Sequence, residues 1–149
     1  MSRVTQTILA GQEDGVYGNC VQAVIASMLD LPLASVPHFA HFDWWEGALE
    51  FWARGKGLTC HWIHGDTIPD RLAMVCGKSP RGLGHAVVGD AESIIWDPHP
   101  DRTGLVSVDR AMWFEDWPNR DYPTGCFACG SILPGVTTIG THSCPGALS

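Results

Sequence analysis

The sequence predicts an α+β domain in which two helices are followed by an antiparallel sheet. Two segments with helical spacing of apolar residues lie before residue 58, and four short β-like runs come after them. Helices and strands that are segregated along the chain favour an α+β fold over an alternating parallel-sheet fold. The length of 149 residues and the hydrophobic content of 45% are those of one domain with a sizeable core.

The first helix is marked by an apolar stripe at helical spacing. The stripe consists of Val21, Val24, Ile25, Met28 and Leu29. Cys20 opens the helix and Asn19 is a good N-cap residue. Pro32 ends the pattern, because the residue before a proline avoids the helical region.

The second helix is expected to begin after Asp43 as the N-cap residue, because Glu46 three positions further on resembles a capping box. Gly55 and Gly57 are expected to end it. The residues on its buried face are Trp45, Ala48, Leu49 and Trp52.

The sheet is predicted from four short apolar runs. They cover residues 58–63, 72–76, 85–88 and 93–96. Gly, Pro and Asp turns separate these runs, so each is expected to pair with a neighbour in an antiparallel sheet.

The composition changes after residue 121. Residues 122–149 contain no Asp, Glu, Lys or Arg, and their prolines and glycines interrupt any long helix or strand. We therefore expect one folded domain over residues 1–121. Residues 122–149 are expected to be a loop-rich appendage and not an independent domain.

The net charge argues against nucleic acid and membrane partners. Nine Lys and Arg against 16 Asp and Glu give a formal charge of −7, which repels phosphate backbones and anionic lipid. The longest strongly apolar run, residues 21–29, is far shorter than a bilayer span. The first ten residues lack the basic-then-apolar pattern of a secretory signal, so a cytoplasmic protein is expected.

The six cysteines are expected to be thiols in that compartment, so each is interpreted separately. Cys60 and Cys76 lie in apolar stretches and are expected to be small buried hydrophobes. Cys20 differs because it opens a helix, where the positive end of the helix dipole favours thiolate over thiol. A nucleophilic cysteine in this setting needs a histidine partner.

Among the seven histidines, His85 is distinguished because it opens the apolar run GHAVV after the flexible segment SPRGLG. If this run forms a hairpin with the next one, His85 lies opposite Trp96 or Asp97, depending on one residue of register. Asp97 would then orient the imidazole and stabilise its charged form. Each residue alone has an ordinary structural explanation, but the order and elements of Cys20, His85 and Asp97 together favour a catalytic set.

Three segments of the chain carry a family resemblance. GNCVQAVIASMLDLPLASVPHF, SPRGLGHAVV and IIWDPHP resemble small phage-associated and bacterial proteins with a papain-like cysteine peptidase fold. The resemblance covers most of residues 1 to about 107. It implies a triad of Cys20, His85 and Asp97 in a catalytic domain over residues 1–121, without identifying a substrate.

Papain-like enzymes also place a glutamine upstream of the nucleophile, whose amide donates to the developing oxyanion together with the cysteine N–H. Gln12 lies eight residues before Cys20, near the usual short spacing. Gln6 lies in VTQTIL, which resembles the Gln-Thr that opens the phage-associated relatives. We prefer Gln6, with AGQEDGVY as a longer loop before the helix, and Gln12 is the alternative.

A second cluster lies in the uncharged appendage, outside the resemblance. Its members are Cys126, Cys129, His142 and Cys144, a CxxC followed by an HxC. Pairs of Cys and His are typical zinc ligands, and zinc would order a segment that cannot build its own core. A structural zinc site is one hypothesis, and a disulfide is the other if the protein is exported.

The residues and the resemblance together predict a cysteine-dependent hydrolase or acyl-transfer enzyme that needs no cofactor for catalysis and acts on a protein or peptide. A peptidase or isopeptidase is the first expectation. A deamidase or a transglutaminase-type acyl transferase is an alternative, because all of these form the same acyl-enzyme. A non-catalytic protein-binding module on the same fold is the rival from another class.

Overall fold

The computed structural model of the chain describes residues 1–11 and 15–117. These residues form an α+β fold in which two α-helices precede a five-stranded antiparallel sheet, so the predicted α+β class is confirmed. The helices are α1 (Cys20–Met28) and α2 (Trp45–Gly55), with two 3₁₀ turns, Leu33–Ser35 and Phe39–His41, between them. The strands are β1 (Leu58–His64), β2 (Ala73–Lys78), β3 (Gly84–Gly89), β4 (Ile94–Trp96) and β5 (Ser107–Asp116).

Strand β5 lies inside the sheet although it comes last in the described part of the chain. The strand order is β1-β5-β2-β3-β4, so β5 pairs with both β1 and β2. The four predicted strands do not include β5, because Asp109 and Arg110 interrupt its apolar pattern. Ala111 and Met112 point to opposite faces of the sheet and are both fully buried. The burial of β5 therefore depends on β1 and β2, the strands that flank it in the sheet.

The core lies between α1 and the inner strands of the sheet. Val24 and Ile25 of α1 are fully buried and pack with Met74 of β2 and Val88 of β3. Burying a side chain of this size contributes about 1.5–3 kcal/mol. This packing holds α1, and with it the first residue of the helix, against β2 and β3.

Helix α2 begins one residue later than predicted. Trp44 rather than Asp43 occupies the N-cap position, and there is no side-chain capping hydrogen bond. Glu46 closes no capping box, because its carboxylate pairs with Nη1 of Arg110 on β5. The helix ends at Gly55, as predicted. The predicted apolar face packs on the core through Trp45, Ala48, Leu49 and Trp52.

No helix in the described part of the chain is long and apolar enough to cross a lipid bilayer. The predicted boundary at residue 121 and the appendage over residues 122–149 lie outside the described residues. The helices and the sheet therefore account for the predicted domain as far as residue 117.

Candidate active site

The residue before Cys20 fastens the N-terminal segment of the chain to the start of α1. Asn19 occupies the N-cap position, as predicted, but its side chain does not cap the helix. Its Oδ1 instead accepts hydrogen bonds from the backbone N–H groups of Thr7 and Ile8, at 3.0 and 2.8 Å. Asn19 is only 2% exposed, so the accepting oxygen is shielded from water. The start of the helix and the segment that carries Gln6 therefore form one unit.

Cys20 is the first residue of α1 and is partly exposed in the wall of a cleft. This position places the residue at the positive end of the helix dipole. His85 lines the same cleft, and interaction with the Cys20 thiol contributes to the raised pKa of His85. The other two described cysteines differ, because burial raises the pKa of Cys60 to about 12 and raises the pKa of Cys76 still further. Cys20 is thus the described cysteine that is placed for nucleophilic chemistry.

His85 and Asp97 form a buried pair. Nε2 of His85 lies 2.7 Å from Oδ1 of Asp97, and the two side chains are 3% and 4% exposed. Burial acts to lower the pKa of His85, but hydrogen bonds with Asp97 and Cys20 raise it to about 9. The imidazole is therefore protonated at neutral pH. Because Nε2 faces Asp97, Nδ1 is the ring nitrogen left to serve Cys20.

Two backbone N–H groups also donate hydrogen bonds to the carboxylate of Asp97. Its Oδ1 accepts a hydrogen bond from the N–H of His99 at 2.8 Å, and its Oδ2 accepts one from the N–H of Gly104 at 2.7 Å. Burial acts to raise the pKa of Asp97, but the hydrogen bond from His85 and these two N–H groups bring it below its ordinary value. Asp97 is thus ionised and fixed in orientation, as an orienting residue must be.

The predicted hairpin register is wrong, although the two side chains meet. Strands β3 and β4 pair through Val88 and Trp96. When this register is continued beyond β4, Asp97 comes beside Val87, two residues from His85. Asp97 therefore reaches the imidazole diagonally across one face of the sheet, a separation that side chains can span.

Arg102 binds the backbone of Asp97, and this role was not predicted from the sequence. Its Nη1 donates to the backbone carbonyls of Asp97 and His99, and its Cζ lies 3.9 Å from the ring centroid of Trp96. Its Nη2 lies 3.2 Å from Oγ1 of Thr5. The guanidinium thus ties the loop after β4 to the N-terminal segment. The available signal was the turn-rich segment DPHPDR, which places an arginine five residues after the aspartate.

Gln6 lines a second, smaller pocket that Cys20 also lines, and it is only 5% exposed. Its backbone N–H donates to the carbonyl of Pro98 at 3.0 Å, which holds it next to the loop after β4. Its Nε2 donates to the carbonyl of Ile8 at 2.8 Å. An amide nitrogen carries two N–H donors, so one is left for an oxyanion. Gln12, the alternative, lies outside the described residues.

Two pockets of different size meet at Cys20 and His85. The larger has a volume of about 370 Å³ and is mainly apolar, with Val21 and Trp45 in its wall. The smaller has a volume of about 50 Å³ and includes Gln6. Ligand pockets usually measure roughly 300–1,000 Å³, so the larger pocket has room for a side chain or a short segment of a substrate.

The predicted zinc ligands Cys126, Cys129, His142 and Cys144 lie outside the described residues. Within residues 1–11 and 15–117, no group of three or more His, Cys, Asp or Glu side chains is placed to hold a metal ion. The zinc site in the appendage stays a prediction.

Comparisons of this chain with protein-family models, with curated proteins and with solved structures gave no match. Its function therefore has to be inferred from the site itself.

Proposed function

We propose that this chain is a papain-like cysteine hydrolase, with Cys20 as the nucleophile, His85 as the proton carrier and Asp97 as the orienting residue. The observation that supports the proposal is the setting of His85, which is hydrogen-bonded to the buried carboxylate of Asp97 and lines the same cleft as the thiol of Cys20. The three residues come from α1, from β3 and from the segment after β4. Cys20 and His85 line one cleft, and Asp97 is hydrogen-bonded to His85, which is the arrangement that a nucleophile, a base and an orienter require.

In the proposed reaction, Sγ of Cys20 attacks the acyl carbon of an amide while His85 holds the thiol proton. The carbonyl oxygen becomes an oxyanion, which accepts hydrogen bonds from the Cys20 N–H and from the free N–H of Gln6. The C–N bond breaks as His85 donates the proton to the leaving nitrogen. Water that is deprotonated by His85 then hydrolyses the thioester and restores Cys20.

A peptidase or isopeptidase is the reaction that we favour, because the larger pocket beside Cys20 is apolar and of a size that fits a side chain. Deamidation and transfer to an amine use the same thioester and differ in the leaving group or the acceptor. We place the enzyme in the cytoplasm, where Cys20 stays reduced, and assign it a protein or peptide substrate and no catalytic cofactor.

Competitive alkylation tests the proposal. With limiting iodoacetamide at about pH 6, we expect Cys20 to be modified before the other thiols, as mapped by peptide mass spectrometry. Cys60 and Cys76 are internal controls, since burial raises the pKa of both. His85→Ala should slow the modification of Cys20, because its imidazolium partner is gone. Equal modification of all accessible thiols in both proteins would instead favour the non-catalytic binding module.

A further inference from the structure

The smaller pocket beside Cys20 is lined by basic side chains and, within the described part of the chain, by no acidic ones. Its lining among the described residues includes no carboxylate and three basic side chains, which are Arg81, His85 and His99. The chain as a whole has a formal charge of −7, and the larger pocket contains both Asp109 and Arg110. Across residues 1–11 and 15–117, a lining with basic side chains and no carboxylate is therefore a local property of the smaller pocket.

The carboxylates that pair with these basic groups lie outside the pocket lining. Oδ2 of Asp101 accepts a hydrogen bond from Nη1 of Arg81 at 2.6 Å, and its Oδ1 lies 3.0 Å from Nδ1 of His99. Oγ1 of Thr103 is a second acceptor for Nη1 of Arg81, at 3.1 Å. Both of these bonds use Nη1, so the guanidinium has further N–H donors for a ligand. A carboxylate is the ligand that matches a guanidinium fork best.

The backbone of the loop between β2 and β3 sets the position of Arg81. The N–H of Ser79 donates to the carbonyl of Leu83, and the N–H of Gly82 donates to the carbonyl of Ser79, both at 2.9 Å. Ser79 is 1% exposed and anchors the base of the loop. Gly82 has a φ of +82°, which glycine adopts without strain. Arg81 is thus presented to the pocket by a closed turn.

We propose that the smaller pocket binds a carboxylate of the substrate and that Arg81 is the specificity-determining residue for it. A volume of about 50 Å³ has room for only a few water molecules, so a group of a few heavy atoms fits and a peptide segment does not. The side chain of the acyl part then occupies the larger pocket, while its carbonyl oxygen lies beside Gln6 in the smaller pocket. The carboxylate belongs to the amine that leaves, as in an amino acid released from the C-terminus of a peptide.

This inference rests on the proposed function and narrows its substrate class to amides whose leaving group is small and anionic. Two alkylating reagents test it without the natural substrate. Iodoacetate and iodoacetamide each form a bond between Sγ of Cys20 and a methylene carbon while iodide leaves, and iodoacetate also carries a carboxylate. The measured quantity is the ratio of the two rate constants for Cys20, iodoacetate over iodoacetamide.

We expect Arg81→Gln to lower this ratio about threefold to tenfold, because the charged reagent loses a partner that the neutral reagent does not use. Arg81→Lys keeps a positive charge and should retain most of the ratio. Asp101→Asn keeps the arginine and removes its counter-charge, so the ratio should not fall. If Arg81→Gln does not fold, Arg81→Met repeats the measurement with a neutral side chain of similar length.

Arg71→Gln is the matched control, because Arg71 pairs with Glu115 near the opposite end of β5 from the cleft. It removes the same charge and should leave the ratio unchanged. A ratio that is also unchanged in Arg81→Gln would overturn the carboxylate pocket even if Cys20 is the fastest thiol. Conversely, the proposed function is rejected if Cys20 of the wild type reacts with iodoacetamide no faster than Cys20 of His85→Ala. The ratio would still report on the pocket, since any partly exposed thiol is alkylated at a measurable rate.

Discussion

Oδ1 of Asn19 lies 2.8 Å from the backbone nitrogen of Ile8, so the residue next to the candidate nucleophile holds the segment that carries Gln6. The carbonyl of Ile8 accepts a hydrogen bond from the backbone N–H of Asn19 at 3.0 Å and another from Nε2 of Gln6 at 2.8 Å. The candidate oxyanion donor and the start of α1 are therefore joined through a single residue. A change that weakens this connection should affect both stability and turnover.

Asn19→Ala should lower the free energy of unfolding by about 1–3 kcal/mol, because it removes the oxygen that accepts hydrogen bonds from the N–H groups of Thr7 and Ile8. Urea denaturation measures the loss. Asn19→Asp keeps both accepted hydrogen bonds but replaces Nδ2, which donates to Oγ1 of Thr7 and Oε1 of Gln22, so part of the loss should remain. If Asn19→Ala is as stable as the wild type, the side chain does not hold the N-terminal segment.

Asp97→Asn should impair turnover more than it impairs thiol reactivity. The amide can still contact His85 but does not stabilise its imidazolium, so hydrolysis of an activated ester reporter should fall roughly 10²–10⁴-fold. Alkylation of Cys20 should be retained in large part, because the imidazole is still present.

The effects of Asp97→Asn and His85→Ala should not add. The double variant should turn over the reporter little more slowly than His85→Ala alone, because residues that act as a unit give non-additive losses. Steady-state kinetics of the two single variants and the double variant provide the comparison. Unchanged turnover in Asp97→Asn would make Asp97 a turn residue.

Stability should depend on pH through the pair of His85 and Asp97. The pKa of His85 is raised from 6.5 to about 9, so its contribution is complete below pH 6.5 and is lost as the pH rises through about 9. The pKa of Asp97 lies below its ordinary 3.8, so its contribution is present above pH 3.8 and is lost as the pH falls through that lowered pKa. Both contributions are therefore complete only between these two limits.

Urea denaturation at about pH 6 and about pH 10 tests the alkaline side, where the histidine loses its proton. The free energy of unfolding should drop by at most about 3 kcal/mol, and most of this drop should be absent in His85→Gln. His61→Gln is the control for the loss of a histidine, because His61 contacts Glu115 on the surface and does not belong to the buried pair. An equally steep drop in His85→Gln would assign the effect to other groups.

The appendage should bind zinc. Protein purified without chelator should contain roughly one zinc ion per chain, and the double variant Cys126→Ser, Cys129→Ser should lose it. Elemental analysis by mass spectrometry measures the metal, with Cys60→Ala as a control that should retain it. Metal-free wild-type protein would remove the zinc hypothesis.

The helices and most strands follow from local patterns in the sequence. The apolar stripe and Pro32 bracket α1 closely, because helical spacing and helix ends depend on neighbours along the chain. Short apolar runs between turns likewise locate β1 to β4 to within a few residues. Strand β5 is the exception, since its pattern is broken by Asp109 and Arg110 and its burial depends on β1 and β2, which flank it.

The sequence by itself determined the candidates for chemistry, which are a cysteine at a helix start, a histidine at a strand start and an aspartate after the next strand. Only the tertiary structure decided how they meet. Asp97 reaches His85 diagonally, and Arg102 holds the loop in which Asp97 lies. The pairing register and the closure of that loop depend on contacts between residues far apart in the chain, and local propensity contains no information about such contacts.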